Sequence, residues 1–231
     1  MSILAVLGQG IFVSWNRFTP SASPFNPSNL GPAYWWVSED IPIDAVTNWP
    51  DRMVGFPWTN GAVSQRPTNT STGVDFTRAA SNGLTNSGVD LSANSNNAIF
   101  MVISLNSGGF FQSALSIDRV TFSGSIGFDT GDILYVYLAP ALVSSVAISL
   151  STWYSLVIVQ STPSLGVVFY TNGIPAKTNS SPVLFGTTLK SFGGDNGNGY
   201  LDANVRELAI WTNVSLTSLQ VSNLHNYATN K

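Results

Sequence analysis

Apolar residues run almost unbroken from Ala98 to Leu105 (AIFMVISL). A run this short and this apolar predicts a strand buried on both faces. Further β runs follow at Phe110 to Leu115, Val120 to Phe128, Ile133 to Leu138, Val143 to Leu150, Trp153 to Gln160 and Gly166 to Thr171, separated by Gly, Asp, Asn, Ser and Pro. Close spacing of short strands without a helical period between them predicts a sandwich or barrel. Upstream, Val74 to Phe76 and Gly83 to Leu91 read as short edge strands between polar loops. Asn172-Gly173 after VVFYT supplies the two left-handed positions of a type I′ hairpin turn. In the last strand, simple alternation puts Val205, Glu207, Ala209 and Trp211 on one face and Arg206, Leu208 and Ile210 on the other. A helical pattern begins only after Ser215. Thr217 and Gln220 have capping-box spacing, Leu216 and Val221 are placed as a hydrophobic staple, and Leu224 and Tyr227 continue a buried stripe.

The two ends of the chain differ from this middle. Pro20, Pro24, Pro27 and Pro32 recur in a stretch that can neither extend a helix nor sit inside a sheet, so residues 1–32 read as an extended arm and 33–231 as one domain. Ile3, Leu4, Val6, Leu7, Ile11, Phe12 and Trp15 carry too much apolar surface to be left in water. They are expected either to dock on a partner protein or to return to the domain as a first strand. From Tyr34, six aromatics fall close together: Tyr34, Trp35, Trp36, Trp49, Phe56 and Trp58. Core filling is the expected role, with a sugar-stacking platform as the alternative.

Composition narrows the class. The 231 residues are 44% hydrophobic but only 9% charged, against about 25% in an average soluble domain. Ser, Thr and Asn must therefore supply the polar surface, which suits broad contacts with proteins or neutral glycans. The net charge of −3 comes with singly scattered basic residues, which argues against nucleic-acid binding. With no cysteine, disulfides and thiolate metal sites are excluded. No apolar run reaches the roughly 18 residues of a membrane span. The start lacks the basic region of a signal peptide, so none is expected, and the Asn-X-Ser/Thr triplets read as products of composition.

Four segments in order carry a family resemblance: AVTNWPDRMVG with RPTNTSTGVDF, then WYSLVIVQ, then VVFYTNGIPA, then FGGDNGNGYLDANVRELAIW with the terminal helix. Together they resemble the concanavalin A-like lectin/glucanase superfamily, in its laminin-G or pentraxin-like branch. The resemblance implies an all-β, two-sheet antiparallel jelly-roll sandwich, here with an extended N-terminal arm and a short C-terminal helix. The glucanase branch carries E-x-D-x-x-E on one strand, and no such cluster occurs in this chain. Glu207 is expected to be a structural hydrogen-bonding partner rather than a catalyst. His225, the only histidine, has no cysteine or second imidazole with which to build a zinc site and is expected to be a surface or interhelical polar residue.

The turn in the last segment is the best local candidate for a ligand. Asp195, Asn196, Asn198 and Tyr200 can hydrogen-bond and stack with sugar. The resemblance also brings calcium into view, with Asp195 and Asp202 as hard oxygen ligands, although Asp and Asn equally favour tight turns. No cofactor is required. The expected role is a non-enzymatic virion structural protein, a capsid decoration or tail-appendage subunit assembled in the host cytoplasm. Its arm would bind other virion proteins and its outward domain host-surface glycans, with a homo-oligomer, a trimer by analogy, as the expected assembly. The alternative is a free carbohydrate-binding lectin, and a glycan-active hydrolase ranks third.

Overall fold

The computed structural model describes residues 25–91, 96–116, 125–138, 141–160, 166–180, 188–194 and 199–231. The arm residues Ile3, Leu4, Val6, Leu7, Ile11, Phe12 and Trp15, and the turn residues Asp195, Asn196 and Asn198, lie outside this set. The described chain holds β1 (Tyr34–Val37), β2 (Asn48–Trp49), β3 (Trp58–Thr59), β4 (Thr68–Thr70), β5 (Gly73–Phe76), β6 (Leu84–Asp90), β7 (Asn97–Leu105) and β8 (Gln112–Ser116). It continues with β9 (Ser125–Phe128), β10 (Ile133–Leu138), β11 (Ala141–Ala147), β12 (Tyr154–Gln160), β13 (Val167–Thr171), β14 (Ile174–Asn179), β15 (Thr188–Phe192) and β16 (Ala203–Thr212), and closes with α1 (Ser218–Thr229).

These strands form two antiparallel sheets. One runs β14-β13-β12-β7-β16-β5-β4, with β1 also paired to β16, and the other runs β11-β10-β9-β8-β15-β6-β3-β2. The molecule is thus an all-β sandwich with a C-terminal helix, as the strand pattern predicts. Two expectations need correction. β5 lies between β16 and β4, and β6 between β15 and β3, so neither is an edge strand. Short neighbours, β4 and β3, cover edges that the sequence showed no obvious strand to fill.

Apolar side chains divide between two cores by strand parity. On β7, Ile99, Met101, Ile103 and Leu105 enter the space between the sheets, together with Trp36, Trp49, Trp58, Phe76 and Phe192. Ala98, Phe100 and Val102 point the other way, into a second cluster with Trp35, Val157, Trp211, Leu216, Val221 and Leu224. α1 therefore covers the outer face of the β7 sheet. Its start is set locally: Thr217 accepts from the Gln220 N–H, while the Gln220 side chain accepts from the Thr217 N–H, which satisfies two otherwise orphaned donors. Leu216 and Val221 are both buried beneath it. A short 3-10 turn, Pro27–Leu30, also lies on this face, where the Trp211 indole donates to the Leu30 carbonyl at 3.0 Å.

The register of β16 departs from simple alternation. Val205 pairs with Ile103 and Glu207 with Val102, which leaves Arg206 as an extra residue. This β-bulge flips the parity: Val205 joins Leu208 and Ile210 in the inner core. Arg206 does not share their face and is expelled from the ladder. Gly73 makes room for it. Its φ is 139°, and a Cβ there would stand 2.8 Å from the Val205 carbonyl oxygen.

Candidate functional site

The bulge creates the most promising surface of the described chain. The Arg206 guanidinium lies over the Trp153 ring, 3.9 Å from its centroid, and its Nε donates to the Thr72 carbonyl at 3.0 Å. Trp153 stands just before β12, and Ser155 follows it. The Ser155 N–H donates to the Asn172 side-chain oxygen at 3.1 Å, and the Asn172 N–H donates back to the Ser155 carbonyl at 2.9 Å. Asn172 and Gly173 have φ of 53° and 78°, the two left-handed positions expected of a type I′ turn. Gly173 also lets α1 approach, since a Cβ there would meet the Cβ of His225 at 3.0 Å.

His225 is half-buried and turns toward β12. Its Nδ1 shares a hydrogen bond with the Ser155 hydroxyl at 2.9 Å. Together Val102, Trp153, Tyr154, Ser155, Asn172, Arg206, His225, Ala228 and Thr229 line a half-open groove of about 280 Å³. The wall offers an aromatic ring, a guanidinium, an amide, a hydroxyl and an imidazole. None of these described lining residues is a carboxylate, so the Ser155–His225 pair has no acid in the groove to orient it as a hydrolytic triad would require.

Sequence reasoning missed this groove. Trp153 reads as the start of a strand, Asn172 as a turn former and Arg206 as a strand residue. Nothing in their spacing announces that a bulge, a hairpin tip and a helix converge.

Of the sequence-predicted site residues, Tyr200 and Asp202 are the ones described, and neither lines the groove. Asp202 is described: its carboxylate accepts from the Ser107 hydroxyl, its N–H donates to Gln112 Oε1 at 2.8 Å, and its carbonyl accepts from the Asn106 N–H at 2.9 Å. Tyr200 packs on Gly194, where a Cβ would stand 2.6 Å from its ring. Among the described residues, no three His, Cys, Asp or Glu side chains gather in a way that could hold a metal ion.

Glu207 is closed to any substrate. It is fully buried, accepts from the Trp35 indole at 2.5 Å and has the Lys231 ammonium 3.6 Å away. Burial pushes its carboxyl above the ordinary value of 4.5, opposed by the Lys231 charge and by the hydrogen bond from Trp35. Burial and the Glu207 charge in turn push the Tyr227 hydroxyl up. Because the folded state holds the Glu207 proton more tightly than the unfolded chain does, this residue makes stability fall as pH rises from about 4.5 through the folded-state value. Each pH unit between the two values amounts to about 1.4 kcal/mol. Glu207→Gln is expected to remove that slope while keeping an acceptor for Trp35. Urea midpoints followed from pH 4 to pH 8 check it; parallel curves for the two proteins would refute the assignment.

No protein-family profile and no curated protein sequence matches the chain. Solved structures do match. Trypanosoma rangeli sialidase, in a complex with a difluorinated KDN, aligns with a TM-score of 0.60 at 15% identity, over 89% of this chain and 35% of the sialidase chain. Domain 4 of AbnA, a GH43 extracellular arabinanase from Geobacillus stearothermophilus solved with arabinotriose, aligns with a TM-score of 0.61 at 15% identity, over 84% of this chain and 98% of that domain. The shared feature is the β-sandwich fold. The chain spans about a third of the sialidase length but nearly all of the arabinanase domain. These neighbours overturn the expected virion structural role, since both come from glycan-processing proteins and neither brings any link to a virion. The error has a physical source: low charge and a proline-rich apolar start describe a surface, and they do not specify what that surface meets.

Proposed function

We propose that this chain is a non-catalytic glycan-binding module, a jelly roll of the laminin-G or pentraxin-like kind, whose ligand lies in the groove between Trp153 and His225. The observation that carries this reading is the composition of the groove wall. A Trp ring beside Arg206, Asn172, Ser155 and His225 combines an apolar face with several directional hydrogen-bonding groups, which is what the alternating CH and OH surfaces of a sugar require. The likeness to an arabinanase domain solved with arabinotriose supports it at the level of fold. Burial of Glu207 supports the non-catalytic part, because the one carboxylate of the closing strand has no route to a glycosidic bond.

Calorimetry against a panel of neutral and acidic oligosaccharides, arabinotriose included, tests the reading. The full chain is expected to bind at least one of them, and Trp153→Ala to weaken that binding about tenfold, the scale of one lost aromatic contact. A wild-type chain that binds nothing on the panel would end the proposal, and so would release of reducing sugar by the protein.

A further inference from the structure

We propose that the groove recognises a sugar carboxylate, with Arg206 as the receptor. This rests on the glycan-binding reading and goes beyond it by naming the ligand's charge.

An arginine in the regular ladder would project among its strand neighbours, whereas Arg206 is displaced to the surface between two grooves. One is the groove already described. The other is a smaller one of about 90 Å³, lined by residues that include Glu39, Thr72, Arg206 and Lys231. Among the described residues, the Arg206 guanidinium engages only the Trp153 ring and, through Nε, the Thr72 carbonyl. Its two terminal nitrogens have no protein acceptor among those residues. Arg52 shows the contrast, because its guanidinium is held by Asp40 through two bonds of 2.5 and 2.6 Å. Two acids of this region are already engaged. Glu39 pairs with Lys231 at 3.3 Å, and Asp75, on the outer face beside Asn204, accepts from the Asn106 amide at 3.0 Å.

A guanidinium without a carboxylate, in a chain of net charge −3, is a vacant anion receptor. Stacking on Trp153 and the bond to Thr72 fix its plane in advance, so little side-chain freedom remains to be lost on binding. The exposed edge presents paired N–H groups in the geometry that a planar carboxylate accepts. Asn172 and His225 stand on the same groove wall to meet ring hydroxyls. The volume lies near the lower end of ligand pockets, about 300–1,000 Å³, which suits a terminal acidic sugar rather than the middle of a long chain. The carboxylate could be carried by a hexuronic acid or by a nonulosonic acid such as sialic acid, and the two share the chemistry that Arg206 reads.

The test uses the full chain and titrates glucuronic acid, galacturonic acid and N-acetylneuraminic acid glycosides alongside their methyl esters and neutral glycosides, read by calorimetry and by the shift of the Trp153 indole proton. At least one acid is expected to bind about tenfold to a hundredfold more tightly than its own ester, the scale of a hydrogen-bonded charge. The acid that binds distinguishes the two sources. Arg206→Gln is expected to bind acid and ester alike, and Arg206→Lys to retain only part of the preference because it keeps the charge and loses the fork. If acids and esters bind the wild type equally, or Arg206→Gln keeps its preference for the acid, the carboxylate proposal is overturned and the glycan-binding reading stands. If no sugar in either set binds, the glycan-binding reading itself falls. Should Arg206→Gln misfold, the wild-type comparison of acid with ester and the Arg206→Lys variant still decide the matter.

Discussion

Phe192→Ala is expected to lower the stability of the sandwich by about 3–5 kcal/mol, the range for deleting a buried aromatic ring. Phe192 ends β15, is fully buried, and has three aromatic neighbours whose ring centroids lie 5.7 Å (Trp49), 5.8 Å (Trp58) and 5.0 Å (Phe76) away. Trp36 extends the cluster, 5.5 Å from Trp58. The ring thus joins β2, β3 and β5 to β15, so its loss unpins both sheets at once. Local repacking cannot easily close the void. The next residue, Gly193, has φ of 84°, and its missing Cβ would run into the Phe76 ring, which holds the backbone where it is. Domains of this kind commonly have only about 5–15 kcal/mol of net stability, so the variant should show a sharply lower urea midpoint. A loss below about 1 kcal/mol, well short of the range for a buried ring, would mean that the cluster collapses freely around the gap.

Trp211→Ala should cost a similar amount, about 3–5 kcal/mol, but with a different spatial signature. Trp211 is fully buried on the outer face of the β7 sheet, in the cluster that holds Leu216, Val221 and Leu224. Its indole also anchors the Leu30 carbonyl. Without it, α1 and the Pro27–Leu30 turn lose the surface they rest on, while the inner core keeps its contacts. Hydrogen exchange should therefore accelerate in α1 and around residues 27–30 before it does in β7 or β12. Uniform acceleration through both sheets would show instead that the two cores unfold as one unit.

The contrast between these variants follows from strand parity, and parity was largely readable in the sequence. The run from Ala98 to Leu105 announced a strand buried on both faces, and β7 does divide its side chains between the two cores. Thr217 with Gln220, and Asn172 with Gly173, were equally legible, because a capping box and a type I′ turn depend on side chains within a few residues of one another. Core positions for Trp36, Trp49 and Trp58 were legible too, since indoles that large seldom find another place to go. β16 was legible only in part. Its alternation was clear, but the extra residue at Arg206 depends on how Val205 and Glu207 register against β7, across about a hundred residues of sequence.

The candidate site was hidden for the same reason. Trp153, Asn172, Arg206 and His225 come from a strand approach, a hairpin tip, a bulge and a helix, and no local spacing rule connects them. The polar turn at 195–198, where side chains are dense in sequence, lies outside the described residues. Glu207 illustrates both halves: its structural role was expected from the strand it sits in, while its full burial beneath Lys231 and Tyr227 depends on where α1 comes to rest.

By itself the sequence determined the main run of strands from β5 to β13, the helix start, the hairpin turn and the identity of most core residues, because periodicity, capping and turn chemistry act over a few neighbouring positions. Only the tertiary structure decided which strands became interior, which face Arg206 took and which side chains meet in the groove. Those outcomes depend on pairing between segments far apart in the chain, where a one-residue shift of register moves a side chain from one face of the sheet to the other.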